Sequence, residues 1–327
     1  MNRFAFSIAA LLLPFASGAA EFTADGRSTV EQLTSRYRTL ATGHGWHADT
    51  IYPDPAGDEL SMRAWRTPHT GEALWILSGI HGEEPAGPNA MARNLDSIAG
   101  LAESGVPVVL IPLANPKAYR NNWRYPNSAE RDWRKGGYSV GDAEYLLPDL
   151  ETGTRARAEA PPGPETRALT EYVLRMAKTH PPRLVLDLHE DELSTEGGYI
   201  YSQGNRAGED PVGAEIIRQL QASGIPIRAS GRTRFDEPIV GGVISRDDEG
   251  QPIRDGSIDE LLGSAEIFVD GERTAGPAAP TVIVVETPAF AGSRFELRVA
   301  AQGAVIRRVR ELWRLSVERR SVNGPAR

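Results

Sequence analysis

The sequence predicts an α/β fold in which a mostly parallel mixed sheet carries helices on both faces. Short apolar runs, typical of buried strands, alternate along the chain with segments whose apolar residues recur at helical spacing. The 327 residues are 40% apolar, and no low-complexity stretch or internal repeat divides them. We therefore expect a single large domain over residues 21–327.

Residues 1–20 have the composition of a cleaved secretory signal. One basic residue, Arg3, precedes an apolar run, and small residues occupy positions 18–20. Pro14 interrupts the run, and no other segment approaches the roughly 20 apolar residues that a membrane span requires. We expect a mature chain that begins at Glu21, is periplasmic or secreted, and has no membrane span.

The expected elements alternate in chain order, starting with a helix. Helical spacing is found at 28–40, 164–178 and 295–319, and buried strands are expected at 74–77, 106–113, 184–188 and 282–285. A further strand at 58–66 is expected at the edge of the sheet. Two stretches rich in Gly, 125–163 and 239–280, look irregular and too long for ordinary connections. We interpret them as loops that frame the substrate, with surface insertions as the alternative.

Charge and cysteine content exclude several kinds of site. The formal net charge of -8 disfavours nucleic acid as the main partner. The chain has no cysteine, so it can form neither disulfides nor thiolate ligands. Any bound metal must therefore rest on histidine and carboxylate side chains.

The spacing His-x-x-Glu, which can bring two metal ligands to one point, occurs three times. The pairs are His69/Glu72, His81/Glu84 and His189/Glu192. The first lies in the turn sequence RTPHTGE, which is typical of an exposed loop. The second and third histidines each close a buried-strand pattern instead. Position, and not spacing, therefore selects the second and third histidines.

The sequence GIHGEEPAG predicts a tight strand-to-helix turn. Gly79 and Gly82 let the backbone turn after the strand, and Pro85 suits a first helical turn. His81 and Glu84 can then reach one point in space, as a zinc site requires. Asn115, His189 and Glu286 also follow or end predicted strands, and ligands collect at the carboxyl ends of parallel strands.

A different interpretation of His189 remains open. The acidic residues between positions 187 and 192 could form a solvated turn in which His189 merely caps a strand. Against this stands the recurrence of one strand-end pattern at three separate places. Amide-cleaving zinc hydrolases need three ligands, an open position for water and a carboxylate base. His81, Glu84, His189 and Glu286 can supply all four protein groups.

These residues resemble the zinc carboxypeptidase superfamily, within it the branch of murein peptide amidase and the succinylglutamate desuccinylase/aspartoacylase group. The resemblance covers about residues 74–288, and PGPETRAL is similar to a stretch of murein peptide amidase. GIHGEEPAG and DLH resemble the zinc motifs, and VVETP resembles the catalytic-glutamate strand. It implies a zinc-carboxypeptidase-like domain with one zinc on His81, Glu84 and His189, and Glu286 as general base.

The same resemblance implies substrate-binding arginines. NPKAYRNNWRY resembles a segment that carries an arginine nine residues after its asparagine, which implies Arg124 in catalysis and substrate binding. Arg131 is the implied second contact, although Glu130 stands where the family commonly has asparagine. Many carboxypeptidases place a tyrosine before the catalytic glutamate, but the last tyrosines here are Tyr199 and Tyr201. That role is therefore absent, as in the deacylase branch, or served by another group.

The expected function is that of an exported zinc metallocarboxypeptidase or amidase that acts on small peptides, plausibly cell-wall peptides. An N-acyl amino acid deacylase of the desuccinylase/aspartoacylase type is the alternative. Both interpretations require a peptide or acyl-amino-acid substrate with a free carboxylate. A third interpretation, a binding protein with a decayed zinc site, is disfavoured by the complete set of four site residues.

Overall fold

The computed structural model describes residues 21–55, 57–192, 194–204, 210–290 and 293–318. The expected signal, residues 1–20, lies outside the described residues, and so does position 319, where the last helix was expected to end. Within these ranges, none of the helices combines the length and the apolar character that crossing a membrane requires.

Helices and strands alternate through most of the described chain. In chain order they are α1 (Val30–His44), β1 (His47–Tyr52), β2 (Met62–Arg66), β3 (Ala73–Ser78), α2 (Ala86–Arg93), α3 (Leu95–Glu103), β4 (Val108–Ile111), α4 (Pro116–Asn121), α5 (Pro164–Ala177), β5 (Pro182–Asp191), β6 (Tyr199–Ser202), α6 (Pro211–Ala222), β7 (Ser230–Arg232), β8 (Pro238–Val240), β9 (Val243–Ile244), α7 (Ile258–Gly263), β10 (Glu266–Val269), β11 (Glu272–Ala275), β12 (Thr281–Pro288), α8 (Phe295–Arg307) and α9 (Val309–Glu318).

Ten strands form one mixed sheet in the order β1-β2-β4-β3-β5-β12-β6-β9-β8-β7, and β10 and β11 form a separate hairpin. The four central strands, from β4 to β12, run parallel to one another. Antiparallel pairs flank them on both sides. The expected α/β fold with a mixed sheet is confirmed, and its parallel part is the centre that carries the predicted ligands.

One strand prediction was wrong in its position. The expected edge strand at 58–66 begins only at Met62, and it is the second strand of the sheet because β1 pairs along its outer side. Strand β1 has no apolar run and is mostly exposed or half-buried, so hydrophobic periodicity did not mark it. An edge strand pairs with a neighbour on one side only and is often exposed, so its sequence need not contain the apolar pattern that marks a buried strand.

Helices cover both faces of the sheet. The apolar side chains of the central parallel strands point alternately to the two faces, so both faces must be covered. In β3, Leu74 and Ile76 pack into a core shared with α1, α2, α3, α6, α8 and α9. Trp75 and Leu77 point to the opposite core, which contains α5 and α7. The central strands are thus buried on both sides, whereas the outer strands β1 and β7 are exposed or half-buried.

The two stretches expected to be irregular differ from each other. Residues 125–163 are rich in turns, but Val140, Leu146 and Leu147 are buried in the core beside α5. Residues 239–280 are only partly irregular, because they contain β9, α7, β10 and β11. These elements are too short to show a periodic pattern. The expected helix at 295–319 is also divided, since α8 ends at Arg307 and α9 begins at Val309.

Candidate metal centre

The ends of three central strands lie at one level. In the pairing of β3 with β5, Leu77 is opposite Asp187 and Ser78 is opposite Leu188. In the pairing of β12 with β5, Glu286 is opposite His189. Parallel strands end at a common edge, so groups from distant parts of the sequence meet there.

The loop between β3 and α2 presents the first two predicted ligands. Gly79 adopts a φ of +64°, which a residue with a Cβ atom rarely takes. Gly82 lies so close to α4 that a Cβ atom would be 2.2 Å from the carbonyl carbon of Ala118. Only glycine allows this approach, and it brings His81 and Glu84 over the end of β5.

Three side chains converge at this edge. Nδ1 of His81 lies 2.8 Å from Oε1 of Glu84, and Nδ1 of His189 lies 2.8 Å from Oε2 of the same carboxylate. The ligand atoms of the three residues are all within 4.8 Å of one another. Two imidazole nitrogens and one carboxylate are the donor set of catalytic zinc sites of the His₂Glu type.

The protonation states also suit a metal. Burial and then the Arg124 guanidinium lower the pKa of His81 to about 4, so this ring is neutral at neutral pH. Burial alone would raise the pKa of Glu84, but the two histidines outweigh it and hold this pKa well below its usual range. Burial lowers the pKa of His189, yet Asp187 and Glu84 raise it well above its usual value. A metal at Nδ1 of this ring must therefore displace a proton.

A second pair of carboxyl groups lies behind His189. Its Nε2 is 3.2 Å from Oδ2 of Asp187, on the side of the ring opposite the ligand atom Nδ1. Asp259 of α7 joins Asp187 and His189 in one buried cluster. Burial first, and then the charge of Asp187, raise the pKa of Asp259 well above its usual value. A carboxylate at the non-ligating nitrogen orients a metal-binding imidazole.

Glu286 lies beside His189, one of the three predicted ligands. Its neighbour across the parallel pair is His189, and its antiparallel neighbour is Tyr199. Within the described residues, its Oε2 atom is buried and has no hydrogen-bond partner. Burial, followed by the charges of Glu84 and Asp191, raises its pKa well above the usual value, while His189 opposes the shift. This orphaned oxygen can accept or hold a proton at the metal site.

The two predicted arginines lie in different surroundings. Arg124 is largely buried, and its NH1 donates to Oε1 of Glu83 at 2.6 Å and to Oε1 of Glu84 at 3.0 Å. Arg131 is about half exposed, and its NH2 lies 3.4 Å from Oε2 of Glu192. The structure thus brings Arg124 against a ligand carboxylate, whereas Arg131 lies at the rim.

Comparison with solved structures identifies the fold. A candidate metallopeptidase from Shewanella amazonensis is similar over 86% of this chain and 93% of its own, with a TM-score of 0.67 and 20% identity. A second one, from Shewanella baltica, has a TM-score of 0.64 and 21% identity over 87% of this chain and 91% of its own. Carboxypeptidase A from Helicoverpa armigera has a TM-score of 0.59 and 13% identity over 92% and 77%.

The chain has a zinc-carboxypeptidase-like fold. This confirms the fold that the motifs implied, although no family model and no curated protein matches the sequence. The identities are all too low to carry more than the fold. Assignment to the branch of murein peptide amidase and the deacylases therefore stays a prediction.

This carboxypeptidase-like fold brings groups to the site that no motif marked. Arg234, at the turn between β7 and β8, donates from NH1 to Oδ1 of Asp191 at 3.1 Å and lowers the pKa of Glu286. Tyr199 donates to the other oxygen of Asp191 at 2.8 Å. Arg234 belongs to a short hairpin far along the chain, so only strand pairing places it here. Asp187 could have been recognised from the sequence, because residues two positions apart in a strand lie on the same face and Asp187 precedes His189 by two.

The solvated acidic turn, which the sequence left open, is excluded. Residues 187–190 lie in β5, and Asp187, His189 and Glu190 are buried. His69, by contrast, is exposed in a turn as expected. Glu190 points to the face opposite His189, where Oε2 accepts a hydrogen bond from the Ala86 amide at 2.7 Å. It therefore caps α2 and does not belong to the ligand cluster.

Proposed function

We propose that this chain is a zinc-dependent hydrolase that cleaves carbon–nitrogen bonds, and more specifically an exported metallocarboxypeptidase or amidase of small peptides. One observation carries the proposal. Nδ1 atoms of His81 and His189 converge on Glu84, and Glu286, with a buried oxygen that has no partner in the described residues, stands at the same level. A purely structural cluster of ion pairs would normally satisfy all its buried oxygen atoms, so the unsatisfied carboxylate of Glu286 favours a functional site.

The chain's own residues supply acid–base chemistry around the metal. Zinc held by His81, Glu84 and His189 would polarise a scissile carbonyl and lower the pKa of a water molecule. Glu286 then removes a proton from the attacking water and delivers it to the leaving amine. The surroundings that raise the pKa of Glu286 suit this task, because the carboxyl group must hold the proton between the two steps.

Positive charge near the site favours a substrate with a free carboxylate. The chain as a whole is acidic, so local cations must attract such a group. Arg124 is proposed to stabilise the oxyanion or hold the substrate carboxylate, and Arg131 to contact the substrate at the rim. Their guanidinium groups can bind a carboxylate in a bidentate manner. Arg234, close enough to lower the pKa of Glu286, is a third cation near the site.

The substrate is proposed to be a small peptide, and cell-wall peptides are preferred because of the predicted export signal and the stretch PGPETRAL. The N-acyl amino acid deacylase stays a second candidate for one reason. No tyrosine follows Tyr201 in the sequence, so the tyrosine that many carboxypeptidases place before the catalytic glutamate has no counterpart there. The hydroxyl groups of Tyr199 and Tyr201 donate to Asp191 and Glu237.

One assay separates these functions. The zinc-loaded mature chain is incubated with cell-wall peptides, dipeptides with a free or an amidated carboxyl terminus, and N-acyl amino acids, and products are identified by mass spectrometry. We expect cleavage of peptides with a free carboxylate, abolished by a chelator and restored by zinc. Exclusive cleavage of N-acyl amino acids would establish the deacylase instead. Zinc-loaded protein that cleaves no member of the panel, and binds them without turnover, would favour the binding protein.

A further inference from the structure

A buried arginine outside the candidate metal centre connects the start of the described chain to the metal-binding loop. The guanidinium of Arg27 is almost fully buried, with 1% of the side chain exposed. NH1 donates to the carbonyl oxygen of Gly82 at 2.9 Å and to that of Tyr119 at 3.0 Å. NH2 donates to Asn122 at 2.8 Å, and Asp25 accepts from both Nε and NH2.

Stacking fixes the plane of this guanidinium. Its central carbon lies 5.0 Å from the ring centroid of Phe22 and 4.9 Å from that of Tyr119. The group is therefore held by hydrogen bonds in its plane and by aromatic rings over its faces. Arginine suits this role because its fork is rigid and always charged. Residues 21–29, which we call the N-terminal segment, are thereby tied to the loop and to α4.

A second connection reaches the other end of the same loop. The amide of Ser28 donates to Oδ1 of Asn89 at 3.0 Å, and the side-chain amide of Asn89 donates to the carbonyl oxygen of Pro85 at 2.8 Å. The hydroxyl of Tyr119 donates back to the carbonyl oxygen of Ser28 at 2.8 Å. The carbonyl groups of Gly82 and Pro85 are thus held from the N-terminal segment, on either side of the ligand Glu84.

Two backbone hydrogen bonds of the loop, at Gly82 and Glu84, are longer than the contact from Arg27. The amide of Gly82 donates to the carbonyl of Arg124 at 3.3 Å, and the amide of Glu84 donates to that of His81 at 3.4 Å. Hydrogen bonds weaken as they lengthen beyond about 3.0 Å. The shorter contact from Arg27 therefore restrains the loop more strongly than these two do.

We propose that the N-terminal segment positions the metal-binding loop, and that Arg27 is its positioning residue. This inference rests on the proposed function, because it assumes that His81 and Glu84 bind zinc. Within the described residues, the side-chain hydrogen bonds of Arg27 go to none of the three proposed ligands. It acts through the Gly82 carbonyl, and it determines how accurately the two ligands are held before a metal arrives.

The test compares two buried arginines. Arg27→Met removes the contact to the loop, and Arg183→Met is the matched control. Arg183 lies at the beginning of β5, at the opposite end of the strand from His189. Its side chain is 2% exposed and donates to the carbonyl oxygen of Ser316 at 2.6 Å. Zinc affinity is measured by competition with a chromophoric chelator, the zinc dissociation rate by transfer to excess chelator, and stability by thermal unfolding of the apo protein.

Both substitutions are expected to lower the unfolding temperature, but only Arg27→Met should weaken zinc binding, by about tenfold, the lower end for outer-shell partners of a metal ligand. The loss should come mainly from faster dissociation. An Arg27→Met protein with reduced stability and wild-type zinc affinity would overturn the proposal. So would an equal loss of affinity in Arg183→Met, since that would reflect general destabilisation.

Arg27→Lys covers the case in which Arg27→Met does not fold. Lysine keeps the charge, but one ammonium cannot reach Gly82, Tyr119, Asn122 and Asp25 together. We expect a folded protein with weakened zinc binding, and wild-type affinity in this variant would likewise overturn the proposal. Zinc binding by the wild-type protein distinguishes failure of the proposed function from failure of the positioning role of Arg27. Wild-type protein that binds no zinc refutes the proposed function and this inference together, whereas tight wild-type binding unaffected at Arg27 refutes the positioning role alone.

Discussion

Strand β5 presents acidic residues to both faces of the sheet, and the two faces use them differently. On one face, Asp187 and His189 lie with Glu286 of β12 in a cluster that contains unsatisfied buried oxygen atoms. On the other face, Glu190 accepts a hydrogen bond from the first amide of α2 and pairs with Arg298. Buried polar groups are normally satisfied, so the unsatisfied carboxylate of Glu286 marks chemistry and the satisfied carboxylate of Glu190 marks structure.

The difference follows from the period of a strand. Successive side chains point to opposite faces, so His189 and Glu190 have unlike surroundings although they are adjacent in sequence. A carboxylate at the amino end of a helix is stabilised by the helix dipole and by free amide groups. Glu190 occupies such a position, whereas Glu286 lies opposite His189, a proposed ligand. Substitutions on the two faces are therefore expected to have different effects on activity and on stability.

The largest expected effect is loss of the metal. His81→Ala and His189→Ala each remove one of the three proposed ligands, so we expect neither variant to retain stoichiometric zinc after dialysis, as measured by atomic emission. His180→Ala is the control, since this histidine is also buried but bonds to Thr179 at the other end of β5. Unchanged zinc affinity in the two site variants would refute the ligand assignment and direct the search to His69 or Glu192.

The next effect concerns the base. Glu286→Gln is isosteric but cannot accept the proton from water, so kcat should fall about a hundredfold or more. This corresponds to about 2.7 kcal/mol of transition-state stabilisation. Zinc content and unfolding temperature should stay close to those of the wild type. Near-normal kcat with zinc bound would mean that a different carboxylate serves as base.

The same substitution on the opposite face should have the reverse profile. Glu190→Gln weakens a charge-assisted hydrogen bond to Arg298 and the interaction with α2, so the free energy of unfolding should fall by about 2 kcal/mol. Zinc-loaded enzyme should keep its kcat at temperatures where it is folded. Denaturant unfolding and steady-state kinetics measure the two quantities. A kcat loss as large as that of Glu286→Gln would remove the distinction between the faces.

The smallest effect separates the two predicted arginines. In the proposed bidentate contact to a substrate carboxylate, Arg124→Lys would lose one of two parallel hydrogen bonds, so kcat/KM on a substrate with a free carboxylate should fall about tenfold. The same substrate with an amidated carboxylate should lose less. Arg131→Lys, at the exposed rim, is expected to change kcat/KM less than Arg124→Lys. Equal losses for both substrates would show that Arg124 acts through Glu83 and Glu84, or on the oxyanion, and not in carboxylate recognition.

Part of this fold was predictable because it depends on local patterns. The central strands were recognisable as apolar runs, and β3 and its turn were marked by Gly79, Gly82 and Pro85. Strand β1 and helix α7 were not recognised, because one is exposed and the other too short for a periodic signal. Asp259 was missed with α7, although it lies in the buried cluster behind His189.

The sequence by itself determined which side chains can serve: the histidines and carboxylates at strand ends, and zinc-type ligands in a chain without cysteine. Only the tertiary structure decided which of them meet. Glu286 faces His189 because β12 pairs with β5, and Arg27 reaches Gly82 because the N-terminal segment packs on the loop. Both contacts join residues far apart in the chain. Strand order and register arise from burial summed over the whole sheet, which no local stretch of sequence encodes.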